Sequence, residues 1–215
     1  GDLDMVSANT SGIVVHRQHP GVNTGVFVNS APFPAGGATA TISSKLADVN
    51  NDGNLDFLAI SGSGPRALVV WLGDGAGGFG TAALYTPPGG TNLIALSVGD
   101  IDADGDLDVM AGDNSAASVH IWRNNGGGIF TSSTITGVTS VAATALGDID
   151  GDGDLDFVEH NGANLVTLIN DGLGTFSGPT SYAMGVAVLE QFELADMNGD
   201  GALDAVFGGG TGVHV

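Results

Sequence analysis

Short apolar segments separated by polar, glycine-rich turns recur along the whole chain with a period of about 50 residues. One period holds apolar segments at 155–158 and 164–168, a third that begins at Phe176, and a fourth at 189–194 that leads into the next period. The segments are of strand length and rich in branched residues, and none shows a sustained helical period. The pattern predicts four short β-strands in each repeat.

Four antiparallel strands in a repeat of this length are typical of one blade of a β-propeller. A single blade cannot bury both faces of its sheet, so neighbouring blades must stack. We therefore predict an all-β fold, a β-propeller of four-stranded antiparallel blades, with about four complete repeats and partial repeats at both ends. The predicted blade boundaries are 1–38 (partial), 39–90, 91–138, 139–187 and 188–215 (partial). We expect the chain to be part of a larger ring, for example one of about seven blades.

A glycine-rich turn follows the second apolar segment of each complete repeat and ends in a phenylalanine, at Phe79, Phe130 and Phe176. Asp-Gly and Asn-Gly pairs in these turns are typical of β-hairpins, because both residue types tolerate positive φ. We expect the third strand to begin at the phenylalanine and the ring to pack in the core. Trp71 and Trp122 occupy matching positions of the second segment. They are predicted to be core residues, with a sugar-stacking platform as the alternative.

An acidic loop at 147–157 leads into the first apolar segment of its repeat, and five of its eleven residues are aspartates. Carboxylates so close together repel one another unless a cation lies between them. Side chains at the first, third and fifth loop positions can converge on one centre, and the glycine at the sixth position permits a sharp reversal. The carbonyl of the seventh position and the carboxylate of the ninth would complete the shell. The predicted ligands in this loop are Asp148, Asp150, Asp152, Asp154 and Asp156.

The same pattern, D-x-[DN]-x-D-G-x-x-D, starts at Asp48, Asp100, Asp148 and Asp196, at intervals of 52, 48 and 48 residues. Oxygen-only ligands in this number favour a hard ion. A cage supplied almost wholly by protein favours Ca2+ over Mg2+, which prefers to keep its waters. The four loops therefore predict about four Ca2+ sites. Their role is predicted to be structural, because a cation held between strands lowers the repulsion that would otherwise separate them.

The composition is that of a globular protein with its acidity concentrated in these loops. The chain has 24 acidic and 4 basic residues and a net charge of -20, yet only 13% of its residues are charged and 42% are hydrophobic. Arg17, Lys45, Arg66 and Arg123 form no basic patch, so nucleic acid is not an expected partner. There is no cysteine for a disulfide or a thiolate metal site. No apolar run reaches membrane-spanning length, so membrane insertion is not expected.

No catalytic constellation stands out in the sequence. There is no nucleophile elbow and no phosphate-binding loop, and the carboxylates that a glycosidase would need are already committed to metal. We therefore expect no enzymatic activity. Glu159 and His160 replace the apolar Ala59 and Ile60 of an earlier repeat. A surface substitution is the favoured interpretation of that change, with a ligand contact as the alternative.

The acidic loops and the phenylalanine after each glycine-rich turn resemble the FG-GAP/VCBS repeat family. These are the calcium-loop propeller repeats of integrin α-chain heads, some fungal lectins and many bacterial surface proteins. The FG pair itself appears as Phe79-Gly80, and the GAP element does not appear. The resemblance implies that the metal loop joins the first and second strands of a blade and that partners approach the opposite face.

The resemblance also implies a complete ligand set, with the seventh position of each loop lending its carbonyl. That set is Asp48, Asn50, Asp52, Asn54 and Asp56 in the first loop, Asp100, Asp102, Asp104, Asp106 and Asp108 in the second, Asp148, Asp150, Asp152, Asp154 and Asp156 in the third, and Asp196, Asn198, Asp200, Ala202 and Asp204 in the fourth. Two loops have aspartate at the third position and two have asparagine. Because affinity depends on ligand charge, we predict tighter binding at the Asp100 and Asp148 loops.

These features predict a non-catalytic, calcium-binding β-propeller module of a secreted or cell-surface protein, serving adhesion, assembly or ligand interaction. The expected partners are a protein or glycan ligand, or neighbouring subunits of an extracellular assembly. A carbohydrate-binding lectin is one alternative, and an accessory propeller of a secreted polysaccharide-active enzyme is another. We also expect the chain to be a piece of something longer, because it begins on the sixth residue of a metal loop.

Overall fold

The structure is a computed structural model of the 215-residue chain. It describes residues 4–9, 12–18, 27–34, 41–62, 66–89, 92–138, 141–185, 188–209 and 212–214. Within these residues the secondary structure consists of eighteen β-strands. None of the described residues belongs to a helix that is long and apolar enough to cross a membrane.

The strands form five consecutive sheets. The first sheet holds β1 (Met5–Asn9), β2 (Gly12–Gln18) and β3 (Phe27–Asn29). The second holds β4 (Thr41–Ala47), β5 (Asp56–Ser61), β6 (Leu68–Trp71) and β7 (Ala83–Tyr85). The third holds β8 (Leu93–Gly99), β9 (Asp108–Asp113), β10 (Ser118–Asn124) and β11 (Phe130–Thr136). The fourth holds β12 (Ala143–Gly147), β13 (Asp156–His160), β14 (Asn164–Asn170) and β15 (Phe176–Ala183), and the fifth holds β16 (Val188–Ala195), β17 (Asp204–Gly209) and β18 (Gly212–His214).

Every sheet is an antiparallel meander in which strands consecutive in the chain are neighbours. Three of the described sheets have four strands, and the first and fifth have three. This arrangement confirms the predicted all-β fold of four-stranded antiparallel blades.

The first strands of the four-stranded sheets and of the fifth sheet lie side by side. Strand β8 contacts both β4 and β12, and β12 also contacts β16. These four strands line a cavity of about 590 Å³ whose walls include Ser43, Ser97 and Thr144. They are therefore the inner strands of a propeller, and the remaining strands of each sheet extend outward from them.

The core lies between the stacked sheets. Leu58 and Val70 of the second sheet pack with Val109 and Trp122 of the third, all almost wholly buried. Strands β5, β9 and β13 are buried at every position, on both faces. A strand covered on both faces needs no polar alternate positions, which explains why consecutive apolar residues follow the opening aspartate of each strand. Trp71 is buried as well, so the predicted core role of both tryptophans is confirmed.

Two expectations drawn from the sequence are wrong in detail. The third strand begins at the phenylalanine as predicted in β11 and β15, but β7 begins at Ala83. Phe79 makes only an isolated bridge to Gly73, and its ring packs edge-on against Phe33 and Phe57. Glu159 and His160 are not surface substitutions. Their exposed fractions are 0% and 1%, because β13 is covered on both faces by neighbouring sheets.

Candidate metal centre

Each acidic loop connects the first strand of its sheet to the second. The loops follow β4, β8, β12 and β16 and lead directly into β5, β9, β13 and β17, so the same connection carries an acidic loop in four sheets. The ninth loop position is the first residue of the following strand: Asp56, Asp108, Asp156 and Asp204. Because the sheets stack around common inner strands, the four loops occupy equivalent places in successive blades.

The first-position carboxylate organises the turn. It accepts a hydrogen bond from the backbone N–H of the sixth-position glycine, at 2.8, 2.9, 3.0 and 3.0 Å in the four loops. At Gly153 the φ angle is +99°, a conformation that residues with a Cβ rarely adopt. The predicted reversal at the sixth position is therefore present. The fifth-position carboxylate closes a second small turn by accepting the N–H of the seventh residue, at 2.8 to 3.0 Å.

The ninth-position aspartate ties the loop to the hairpin of its own sheet. One oxygen of Asp108 accepts the N–H of Ile101 in the loop at 3.3 Å, and the other accepts the N–H of Asn124 in the hairpin at 2.8 Å. Asp56 and Asp156 make the same pair of bonds, and all three side chains are buried. Burial raises the pKa of Asp108 to about 6, against the opposing effect of its two backbone hydrogen bonds. A cation beside this carboxylate would favour its charged form.

Two loops bring three carboxylates together. One oxygen from each of Asp100, Asp102 and Asp108 lies within 4.8 Å of the others, and Asp148, Asp150 and Asp156 form a matching group. These are the first, third and ninth positions of the two loops that have aspartate at all four acidic ligand positions. The fifth-position aspartates, Asp104 and Asp152, are outside both groups as the structure describes them.

Asparagine replaces aspartate at the third position of two loops. The Asn198 side-chain oxygen accepts the N–H of Asp200 at 2.8 Å, as an Asp150 oxygen accepts that of Asp152 at 3.3 Å, and the Asn50 amide also donates to an oxygen of Asp52 at 3.0 Å. Backbone N–H groups from Gly201 and Gly199 lower the pKa of Asp196, so this first-position carboxylate is held charged by the loop itself. An asparagine at the third position thus reduces repulsion without an ion.

Seventh-position side chains point to other partners, which leaves only their carbonyls for the predicted ligand role. An oxygen of Asp106 accepts a hydrogen bond from the Asn51 amide of the preceding loop at 2.7 Å. A Cβ added at Gly126 would lie 2.6 Å from Asp106, and one at Gly172 would lie 2.3 Å from Asp154. The side chains of Asp106 and Asp154 therefore pack against the hairpin of their own sheet.

The Asp100 loop contains carboxylate oxygens that suit a cation. Oxygen Oδ1 of Asp100 and oxygen Oδ1 of Asp102 are both buried, and neither has a hydrogen-bond partner among the described residues. A buried acceptor without a donor costs free energy. Burial, reinforced by Asp104, raises the pKa of Asp102, while Arg123 acts in the opposite direction. Three carboxylates converge here, and two of them have a buried oxygen that lacks a donor, which matches the chemistry of a hard divalent ion.

Two hairpin asparagines join neighbouring loops, and the sequence analysis did not identify them. The Asn124 amide donates to the Val49 carbonyl of the preceding loop at 2.7 Å and to the Leu107 carbonyl of its own loop at 3.1 Å. Asn170 donates in the same way to Ile101 at 2.7 Å and to Leu155 at 3.1 Å. The sequence offers one signal for them, since an asparagine opens two of the three hairpins.

The profile of the FG-GAP-like repeat matches residues 1–59, 48–111, 102–159 and 148–207. No curated protein sequence matches the chain. Among solved structures, the chain is similar to an Agrocybe aegerita lectin that recognises non-reducing terminal N-acetylglucosamine, with 21% identity and a TM-score of 0.68. That match covers 99% of this chain and 59% of the lectin chain.

Two further solved structures align with lower scores. A TcdB2-TccC3 structure without its hypervariable C-terminal region has 16% identity and a TM-score of 0.44, covering 97% of this chain and 13% of the other. The V. cholerae biofilm matrix protein Bap1 has 12% identity and a TM-score of 0.32, covering 96% of this chain and 37% of the other. The lectin match thus supports the β-propeller fold, and the chain spans 59% of that lectin's length.

Proposed function

Since this chain belongs to the FG-GAP-like repeat family, we propose that it is a calcium-stabilised, non-catalytic β-propeller module of a secreted or cell-surface protein. Each of its four acidic loops would hold one Ca2+. The propeller so stabilised would present a binding surface for adhesion or assembly. The observation that supports the proposal most strongly is the pair of three-carboxylate groups at equivalent places in the third and fourth sheets.

The residues that would hold the ion are those that converge. In the Asp148 loop these are Asp148, Asp150 and Asp156. The carboxylate of the fifth position and the carbonyl of the seventh would complete the oxygen shell. When bound, Ca2+ supplies positive charge that offsets repulsion among these carboxylates. The chain's own residues do the rest: the ninth-position aspartate links the loop to the hairpin, and the hairpin asparagine links it to the preceding loop.

The proposed location follows from the same chemistry. The loops carry a large part of a net charge of -20, and divalent cations bound there would lower the repulsion among their carboxylates. Extracellular calcium modules work with dissociation constants of about 10⁻⁴ to 10⁻³ M, which suits an environment rich in calcium. An extracellular or surface role is therefore the proposal that agrees best with four such loops.

Calorimetric titration of the calcium-free protein with Ca2+ tests the proposal. We expect saturable binding that weakens by at least about tenfold at one site in Asp148→Asn, because one charged ligand is lost. The control is Asp171→Asn, an exposed aspartate of the neighbouring hairpin whose pKa is lowered by backbone hydrogen bonds from Thr175 and Leu173. Equal binding by both variants, or no binding by the native chain, would refute the proposal.

Carbohydrate binding is the second candidate function. It is suggested by the similarity in fold to a lectin that recognises non-reducing terminal N-acetylglucosamine. At 21% identity that similarity concerns the fold, so it supplies a ligand class to test rather than a set of binding residues. A glycan array that includes terminal N-acetylglucosamine separates the two candidates. Specific, calcium-dependent retention would support a lectin, and an array without a signal would exclude terminal N-acetylglucosamine as the ligand.

A further inference from the structure

Arg123 lies at the junction between the Asp100 loop and the hairpin of the next sheet. Its Nε is 3.3 Å from Oδ2 of Asp102, a predicted calcium ligand. Its Nη2 donates a hydrogen bond to the carbonyl of Gly174 in the fourth sheet's hairpin. The Arg123 and Asp102 side chains are 35% and 20% exposed, so this ion pair is largely withdrawn from water. Such a pair is less screened by solvent than one on the open surface.

The hairpin restricts where the guanidinium can go. A Cβ added at Gly174 would lie 2.5 Å from Nη2 of Arg123 and 3.2 Å from Cβ of Asp102. The hairpin backbone thus packs against both members of the ion pair. Arg123 cannot swing away from Asp102 without giving up its bond to the Gly174 carbonyl, which holds the positive charge beside the loop.

The Asp148 loop has the same carboxylates but not the same cation. On β10, Trp122 pairs with Val109, the second residue of β9, and Arg123 is the residue after Trp122. On β14, Leu168 pairs with Phe157, the second residue of β13, so Ile169 is the residue that corresponds to Arg123. On β6 Trp71 stands at the position of Trp122. The charge at this place is therefore a feature of the third sheet that the neighbouring fourth sheet lacks.

We propose that Arg123 acts as a built-in competitor of Ca2+ and makes the Asp100 loop the weaker of the two all-aspartate calcium sites. This inference rests on the proposed calcium binding and adds a difference between two loops that ligand charge alone does not distinguish. The guanidinium stays charged at all physiological pH values, so its competition is permanent. It already pairs with Oδ2 of Asp102, and an incoming ion must both displace that interaction and tolerate a neighbouring positive charge.

A single titration can follow both sites in one molecule. Gly105 and Gly153 are the sixth-position glycines, and their N–H groups donate to Asp100 and Asp148 respectively. Their ¹⁵N–¹H resonances report the occupancy of each loop separately as Ca2+ is added to the calcium-free, ¹⁵N-labelled chain. The native protein should fill the Gly105 loop at a free Ca2+ concentration roughly tenfold higher than the Gly153 loop, as expected for one opposed charge near a partly screened site.

Four variants test the cause. Arg123→Ile copies the residue of the fourth sheet and should bring the two midpoints to within about twofold of each other. Arg123→Lys keeps the charge and should retain most of the difference. Ile169→Arg should weaken the Gly153 loop. Arg17→Ile is the matched control. Arg17 of the first sheet donates to the carbonyl of Gly77 in the second sheet's hairpin at 2.6 Å, which is the same kind of bond between sheets at another junction.

The outcomes separate this inference from the function on which it rests. The inference is overturned if the native Gly105 midpoint equals or precedes that of Gly153, or if Arg123→Ile leaves the difference unchanged while both loops bind Ca2+. A change of the same size in Arg17→Ile would also overturn it, because the effect would then come from loosened packing. If no loop glycine of the native chain responds to Ca2+, the calcium proposal itself fails, and this inference fails with it.

Discussion

The hairpin asparagine of the fourth sheet is predicted to be a principal link between blades. Asn170→Ala removes the amide that donates to the carbonyls of Ile101 and Leu155 at 2.7 and 3.1 Å. Asn170 is 3% exposed, so water has little access to replace these bonds. Two buried carbonyls left without a donor cost about 1 to 2 kcal/mol each, which gives about 3 kcal/mol in total. For a chain of this length that corresponds to a fall in Tm of about 6 to 12 °C.

Thermal and urea unfolding of the native chain and the variant, both saturated with Ca2+, would measure this loss. Asn125→Ala is the matched control, because Asn125 is exposed in the equivalent turn and its side chain only accepts the N–H of Gly127 at 3.0 Å. Asn170→Asp keeps the size of the side chain but replaces the donor by an acceptor, so it should destabilise at least as much as alanine. If Asn170→Ala costs no more than Asn125→Ala, the proposed link between loops is wrong.

Three further predictions concern the loops and the packing between sheets. Calorimetry should show weaker calcium binding in Asp102→Asn and tighter binding in Asn50→Asp, and equal or reversed affinities would contradict the role of ligand charge. Burial raises the folded-state pKa of Asp108 to about 6, so the calcium-free protein should lose stability as the pH rises from about 4 through 6. Excess Ca2+ should remove or reverse that trend, and urea unfolding at both pH values would measure the difference. Gly112→Ala should destabilise by about 1 to 3 kcal/mol in the same assay, since the added Cβ would lie 2.2 Å from buried Val141.

Much of the fold was predictable because its determinants are local and repeated. Apolar segments of strand length, hairpin turns and loops in a constant order specify a meander, and a repeat that cannot cover its own faces must stack. The same regularity located the acidic loops. The sequence predicts that the first, third and fifth carboxylates converge, whereas in the structure the ninth-position carboxylate joins the first and third. The profile match to the FG-GAP-like repeat over residues 1–207 rests on the same motifs.

What the sequence did not reveal depends on contacts between repeats. The role of Asn170 requires knowing that its amide reaches Ile101 in the preceding loop, 69 residues away in the chain. Nothing in the sequence places Arg123 beside Asp102, which lies 21 residues earlier in the chain. Burial of Glu159 and His160 likewise follows from neighbouring sheets that cover both faces of β13. Long-range side-chain contacts have no local periodic signature.

The response of stability to calcium tests the central proposal most directly. Thermal unfolding should be followed by circular dichroism in a chelator, with excess Mg2+, and with Ca2+ at about 100 times its dissociation constant. Binding at even one site would then add about 2.7 kcal/mol to the free energy of unfolding. We therefore predict a rise in Tm of at least about 5 °C with Ca2+ and a much smaller rise with Mg2+. An unchanged Tm between chelator and Ca2+ would contradict the claim that the acidic loops hold ions that stabilise the stacked sheets.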